Sequence, residues 1–401
     1  PPDPLRRQRQ MCIRDSFITM SFLSLALSSG AAFADKVNLP DQVSWTAFGT
    51  TSSGYAQSVG IGKMLKENYD TGLRIIPGKN DVSRMLPLRE NQTSICACGS
   101  AVLLAAEGTY MFAGKKWGPM RLFNLFNNLG DTGYQLAVAG DIDVKTAADL
   151  KGKRITWIKG AVAPNLNATA HMAFGGLTWD DVIKVEVPGF KQAHQAVLNN
   201  QADAAWAGTV TGAINQLAAS PRGVFWTEFP HEDEEAWARA RSYAPWWSKQ
   251  LVTVGIDITN NTSGNATFEG SAAPYPIFVS TSEASEELAY GLTKAVMDNM
   301  DQLEGSAPSM NGYGIERQNL QWVFPYHPGA IKYYKEIGKW GEAEQAHNDE
   351  MIRRQDVLEN AWTTYLDANK SLDDASFDKG WQDARVRALQ ENGLDVSFRS
   401  W

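Results

Sequence analysis

From residue 43 onward the apolar pattern keeps switching between short strand-like runs and helical stretches, and few folds tolerate that alternation. Residues 43–48 read as a strand running into the loop Gly49-Thr50-Thr51-Ser52-Ser53-Gly54. A helical stretch follows, with Val59, Ile61, Met64 and Leu65 on one apolar face near period 3.6. Residues 73–76 form a second strand stopped by Pro77-Gly78, a helix passes through Met85 and Leu88, and residues 94–98 form a third strand. Strands alternating with helices predict a parallel or mixed sheet covered by helices, an α/β fold.

A second series of the same kind starts near residue 134. Residues 134–139 are a strand, and Thr146-Ala147-Ala148-Asp149 carries an N-cap signature. Residues 154–158 form another strand, and a helix from about Asn167 ends at Gly175-Gly176. Thr178-Trp179-Asp180-Asp181 caps the next helix, residues 192–199 give one more, and residues 203–206 a short strand. Residues 251–258 and 275–279 are strands leading back towards the first series, and residues 285–300 form a long amphipathic helix. Past about Trp340, Met351, Leu358, Trp362 and Tyr365 fall at helical spacing on a charged background, the mark of a docked helix. At 401 residues the chain suits two lobes and an extension rather than one domain.

Residues 17–34 are small and apolar and end in Ala32-Phe33-Ala34, an A-x-A cleavage pattern. They read as a secretory signal, residues 1–34 in all, with cleavage before Asp35; the stretch Arg9 to Ser16 resembles translated sequencing-adapter sequence, so residues 1–16 are read as artefactual. Cys96 and Cys98 share one face of a strand, and the pair reads as buried packing rather than a disulfide. Two thiols alone do not build a metal site, and no metal or cofactor is expected. Net charge is −8 with both signs scattered, so no basic track favours nucleic acid as a partner. The 14 Trp read mostly as core, although their faces also suit a ligand cleft.

Enzyme signatures fail. Gly49 and Gly54 have P-loop spacing, but Tyr55 stands where the phosphate-binding Lys belongs. Gly60-Ile61-Gly62 lacks the third glycine of a dinucleotide fingerprint, there is no nucleophile elbow, and the five His are scattered. What remains is a loop of small, hydroxyl-bearing residues after a strand, where backbone N–H groups at a helix start favour an anion.

Residues 43–338 resemble the TAXI family, extracytoplasmic binding proteins of tripartite ATP-independent periplasmic (TRAP) transporters. The likeness is carried by the opening strand with its loop and Tyr55, by Ala148-Asp149-Leu150-Lys151-Gly152-Lys153-Arg154-Ile155, by Ala289-Tyr290-Gly291-Leu292-Thr293-Lys294-Ala295-Val296, and most specifically by Tyr326-His327-Pro328-Gly329-Ala330-Ile331-Lys332-Tyr333-Tyr334. The resemblance implies a two-lobed periplasmic-binding-protein fold of type II kind, hinged by two crossing segments; residues 339–401 exceed the family's pattern and read as a helical C-terminal extension. It divides the chain into lobe I at 35–138, lobe II at 139–255, and a return to lobe I at 256–338. The implied ligand is a small organic anion, an amino acid or dicarboxylate, handed to TRAP membrane subunits from the periplasm. Implied contacts are Gly49, Thr50, Ser52, Tyr55, Ser83 and Ser100 in lobe I. In lobe II a Ser-Gly-Thr turn of the family is replaced by Val162-Ala163-Pro164, which removes two hydroxyls and one N–H; Asn165, Thr209 and Tyr275 are the remaining candidates. Two alternatives stand beside this reading: a sensory protein presenting its ligand to a membrane receptor, and a periplasmic enzyme on the same scaffold.

Overall fold

The computed structural model describes residues 37–396; the signal expected at residues 1–34, with its cleavage before Asp35, lies outside them. The chain builds two five-stranded sheets of one plan. The first holds β1 (Gln42–Phe48), β2 (Gly72–Gly78), β3 (Ile95–Cys98) and β4 (Phe123–Asn127), and the second holds β5 (Tyr134–Ala139), β6 (Arg154–Ile158), β7 (Ile183–Val187), β8 (Ala204–Gly208) and β9 (Val224–Phe225). A two-stranded arm of β10 (Ser248–Val252) and β11 (Phe268–Ala272) follows, and β12 (Ile277–Ser280) returns to the first sheet. The orders are β2-β1-β3-β12-β4 and β7-β6-β8-β5-β9. In each sheet the three strands of a β-α-β-α-β run are parallel, and the fourth, β12 or β5, is antiparallel. That fourth strand is the one the chain enters directly after crossing between lobes, at residues 128–133 and 273–276. The fold is thus two-lobed α/β with a hinge of two crossing segments.

Several local readings change. β2 runs through Pro77 because it is a sheet edge, where a missing N–H disrupts no ladder on its outer side. Val59 is 51% exposed and does not join the core face. Thr178 caps only one turn, Trp179–Asp181, and the chain then forms β7, an edge strand too polar to be read as one. The helix expected from Asn167 begins at Val162 and carries Pro164 in its first turn, where a missing N–H is tolerated. The strand at 251–258 is instead β10, ending at Val252. Cys96 and Cys98 are fully buried, as expected, but form a disulfide: their Cα atoms stand 5.2 Å apart, within bridging range.

The extension is two helices, Glu342–Asn369 and Asp374–Glu391, docked on lobe I. Trp362 and Trp381 meet edge to face at 4.9 Å, and the Trp381 indole donates to the Gly108 carbonyl at 2.7 Å. Gly118 has φ of +68°, and a Cβ there would stand 2.3 Å from the Trp362 ring, so only glycine suits both the backbone and the approach. No helix among the described residues is long and apolar enough to cross a membrane.

Two histidines are buried neutral behind the second sheet. The Leu136 N–H donates to His171 Nδ1 at 3.0 Å, so the ring proton sits on Nε2, 3.1 Å from Thr227 Oγ1. Burial pulls His171 down to about 3. Burial likewise takes His194 down to about 4, against hydrogen bonds to the Phe190 and Trp206 backbone. Unfolded histidines titrate near 6.5, so below that pH the unfolded chain binds protons that the folded one refuses. Stability should therefore be level above about pH 6.5 on this account. Below it, the loss should be roughly 1.4 kcal/mol per pH unit for each histidine. Urea unfolding at pH 7 and pH 5 tests this; equal midpoints would show that neither ring is held neutral.

Candidate functional site

The carboxyl ends of β1, β3, β6 and β8 converge on one cavity between the lobes. Ser52 and Ser53 follow β1, Gly99 and Ser100 follow β3, Ala163 and Pro164 follow β6, and Gly208 ends β8. In each sheet the first and third strands lie side by side while their following helices depart to opposite sides, the switch point at which open α/β sheets hold ligands. The cavity encloses about 60 Å³. The lobes touch around it: the Val82 N–H donates to the Gly160 carbonyl, the Phe190 N–H to Lys79, and the Ala213 N–H to Thr51.

Among the described residues one cationic side chain, Arg84, lines the cavity. The helix Asp81–Arg89 starts from a reciprocal cap, in which the Ser83 N–H donates to Asn80 Oδ1 and the Asn80 N–H to Ser83 Oγ. That start places Asp81 in the first turn and Arg84 three residues on, on the same face. Arg84 Nη2 donates to Asp81 Oδ1 at 2.6 Å, and both side chains are buried. The other carboxylate oxygen, Asp81 Oδ2, accepts the Ala163 N–H across the cleft at 2.8 Å. Burial pushes the Asp81 carboxyl up from its ordinary value, although Arg84 and the Ala163 N–H pull it down. The guanidinium lies over the Phe48 ring at 4.3 Å, and its Nε and Nη1 have no hydrogen-bond partner. A buried guanidinium with open donors is a strong anion acceptor.

The remaining walls are aromatic and hydroxylic. Phe48 and Phe190 meet edge to face at 5.0 Å from opposite lobes, and Tyr134 and Tyr275 stand 5.8 Å apart at the hinge. Burial raises the Tyr275 phenol, with Arg84 and Ser52 beside it pulling the other way. Asn167 Oδ1 accepts from the indoles of Trp246 and Trp247 at 3.1 and 2.8 Å, which turns its NH₂ towards Ser100 Oγ at 3.4 Å.

Of the residues singled out from sequence, Ser52, Ser100 and Tyr275 line this cavity. Ser52 also caps the Ser53–Tyr69 helix, accepting the Tyr55 N–H at 3.2 Å. Gly49, Thr50, Tyr55, Ser83, Asn165 and Thr209 are not among its lining. Thr50 is exposed and borders a separate crevice on the far side of the loop, and Tyr55 is half-buried against the core. Ser83 closes the cap described above. Asn165 bonds both the N–H and the carbonyl of Ile158, and Thr209 ties the Gly133 N–H to the Val254 carbonyl. Arg84, Asn167, Phe48, Phe190 and Trp206 were missed. A faint signal existed: an Asp-x-x-Arg pair beside apolar Met85 and Leu88, and two Asn in the mostly apolar helix that starts at Val162.

A family model described as the NMT1-like family matches residues 46–338. Among solved structures, the chain is similar to the alkanesulfonate-binding protein SsuA from Xanthomonas axonopodis pv. citri bound to MOPS, at 17% identity over 83% of this chain and 95% of that one, with a TM-score of 0.40. The aliphatic sulphonate binding protein SsuA from Escherichia coli matches at 13% identity over 79% and 88%, TM-score 0.34. An ancestral arginine-binding protein bound to glutamine matches at 15% over 67% and 97%, TM-score 0.38.

Proposed function

The chain belongs to the NMT1-like family, and from that premise we propose that it is a solute-binding protein whose two lobes close on a small organic anion and then release it. The observation that carries the proposal is Arg84, a buried guanidinium with Nε and Nη1 open, lining a cavity that both lobes enclose. An organic anion satisfies those donors while its body replaces water against the aromatic walls. Nothing is transformed: the buried acid beside the cavity, Asp81, is already engaged by Arg84 and Ala163. In the finer reading, favoured by the TAXI-like motifs, the protein works in the periplasm and delivers its solute to TRAP membrane subunits.

Contacts from both lobes exist only in the closed state, so ligand shifts the population towards closure. Small-angle scattering with a panel of small organic acids should show a smaller radius of gyration for at least one of them. A profile unchanged by every acid would contradict the reading.

A further inference from the structure

Resting on that reading, we propose that the ligand is a short-chain monocarboxylate, and that Asp81 is the specificity-determining residue that turns away dicarboxylates. Arg84 is the only cationic side chain lining the cavity among the described residues, and Asp81 already matches its charge; its open Nε and Nη1 can hold one carboxylate, but a second anion would find no counter-charge. A second would need the start of the Val162–Phe174 helix, which faces the cavity from lobe II. Beyond Val162 its first turn offers no open donor: the Ala163 N–H holds Asp81 Oδ2, Pro164 has no N–H, and the Asn165 N–H bonds the Ala161 carbonyl. Asp81 thus sits as a built-in carboxylate on the very helix start that would take a ligand's second anion.

No acidic side chain lines the cavity among the described residues, and both oxygens of the adjoining Asp81 are taken by Arg84 and the Ala163 N–H, so the ammonium of an amino acid would meet no open carboxylate. Burying an ion without a partner is costly. Space points the same way. An apolar cavity of roughly 150 Å³ accommodates benzene, and this one encloses about 60 Å³. A carboxylate with a two- to four-carbon body suits that volume, its head on Arg84 and its chain against the aromatic walls.

Calorimetric titration of the whole protein with propionate, L-alanine and succinate tests this. L-Alanine adds an ammonium to the propionate frame, and succinate adds a carboxylate. Propionate should bind at least tenfold tighter than either. In Asp81→Asn, with the built-in charge gone, succinate should gain at least tenfold relative to propionate. If succinate or L-alanine binds the wild-type protein as tightly as propionate, the monocarboxylate inference is overturned while the organic-anion reading stands. Failure of all three to bind overturns it as well, and the wider reading then survives only if a larger organic acid closes the cleft in scattering.

Discussion

Replacing Arg84 by methionine should weaken binding of the organic anion by a factor of 100 or more. Hydrogen bonds to charged groups contribute about 1.5–3 kcal/mol each, and a ligand engaging both Nε and Nη1 loses two. The sum, about 3–6 kcal/mol, is roughly 10²- to 10⁴-fold in affinity. The variant also strands the buried carboxylate of Asp81, whose salt bridge at 2.6 Å is gone. Breaking a buried pair from one side typically costs about 3–5 kcal/mol of folding stability. The double variant Asp81→Asn/Arg84→Met separates the two effects, since it removes the stranded charge without restoring the guanidinium. It should recover much of the melting temperature and none of the affinity. If Arg84 serves the fold alone, the double variant binds as tightly as wild type.

The second large effect lies far from the cavity, where the extension is held. Glu107 ends the helix Ala101–Glu107 and is nearly fully buried. It accepts from Arg354 Nε at 2.6 Å and Nη2 at 3.0 Å, and from Arg385 Nε at 3.1 Å, so one carboxylate ties both extension helices to lobe I. Burial opposes its charge, but the two guanidinium groups outweigh burial and hold Glu107 below its ordinary value. Its stabilisation is therefore present above the unfolded carboxyl range and disappears as pH falls through the depressed folded value. Glu107→Gln removes the carboxylate that Arg354 and Arg385 share and should cost about 3–5 kcal/mol. Urea unfolding followed by tryptophan fluorescence reads the loss, because Trp362 and Trp381 sit in the docked contact. A cost below about 1 kcal/mol would show that the aromatic contacts hold the extension without the ion cluster.

What was readable in the sequence is what local periodicity carries. β1, the glycine-rich loop and the helix after it form one contiguous run, and Ile61, Met64 and Leu65 face the core as the 3.6 period demands, although Val59 does not. β7 escaped because an edge strand exposes polar residues, leaving Lys184 and Glu186 where a buried strand would be apolar. The second extension helix, Asp374–Glu391, escaped because its buried positions at i, i+4 spacing include the charged Arg385 on a polar background. The site was less legible for another reason. Asp81 meets Ala163, and Ser100 meets Asn167, only after two separate lobes have folded and closed. No spacing in the chain records such a meeting. Thr209 and Asn165 fell near the right place, but their polar atoms serve backbone that shapes the hinge and the end of β6. Arg84 sat one residue from Ser83, the residue the family resemblance pointed to.

The central claim is that an anionic solute closes the cleft by engaging Arg84. It is tested most directly by mass spectrometry of small molecules released on denaturing the protein purified from cells, run beside the Asp81→Asn/Arg84→Met variant. The account predicts a small organic acid recovered in near-equimolar amount from the wild type and lost from the variant. Recovery of a neutral or cationic compound, or of the same acid from both proteins, would contradict it.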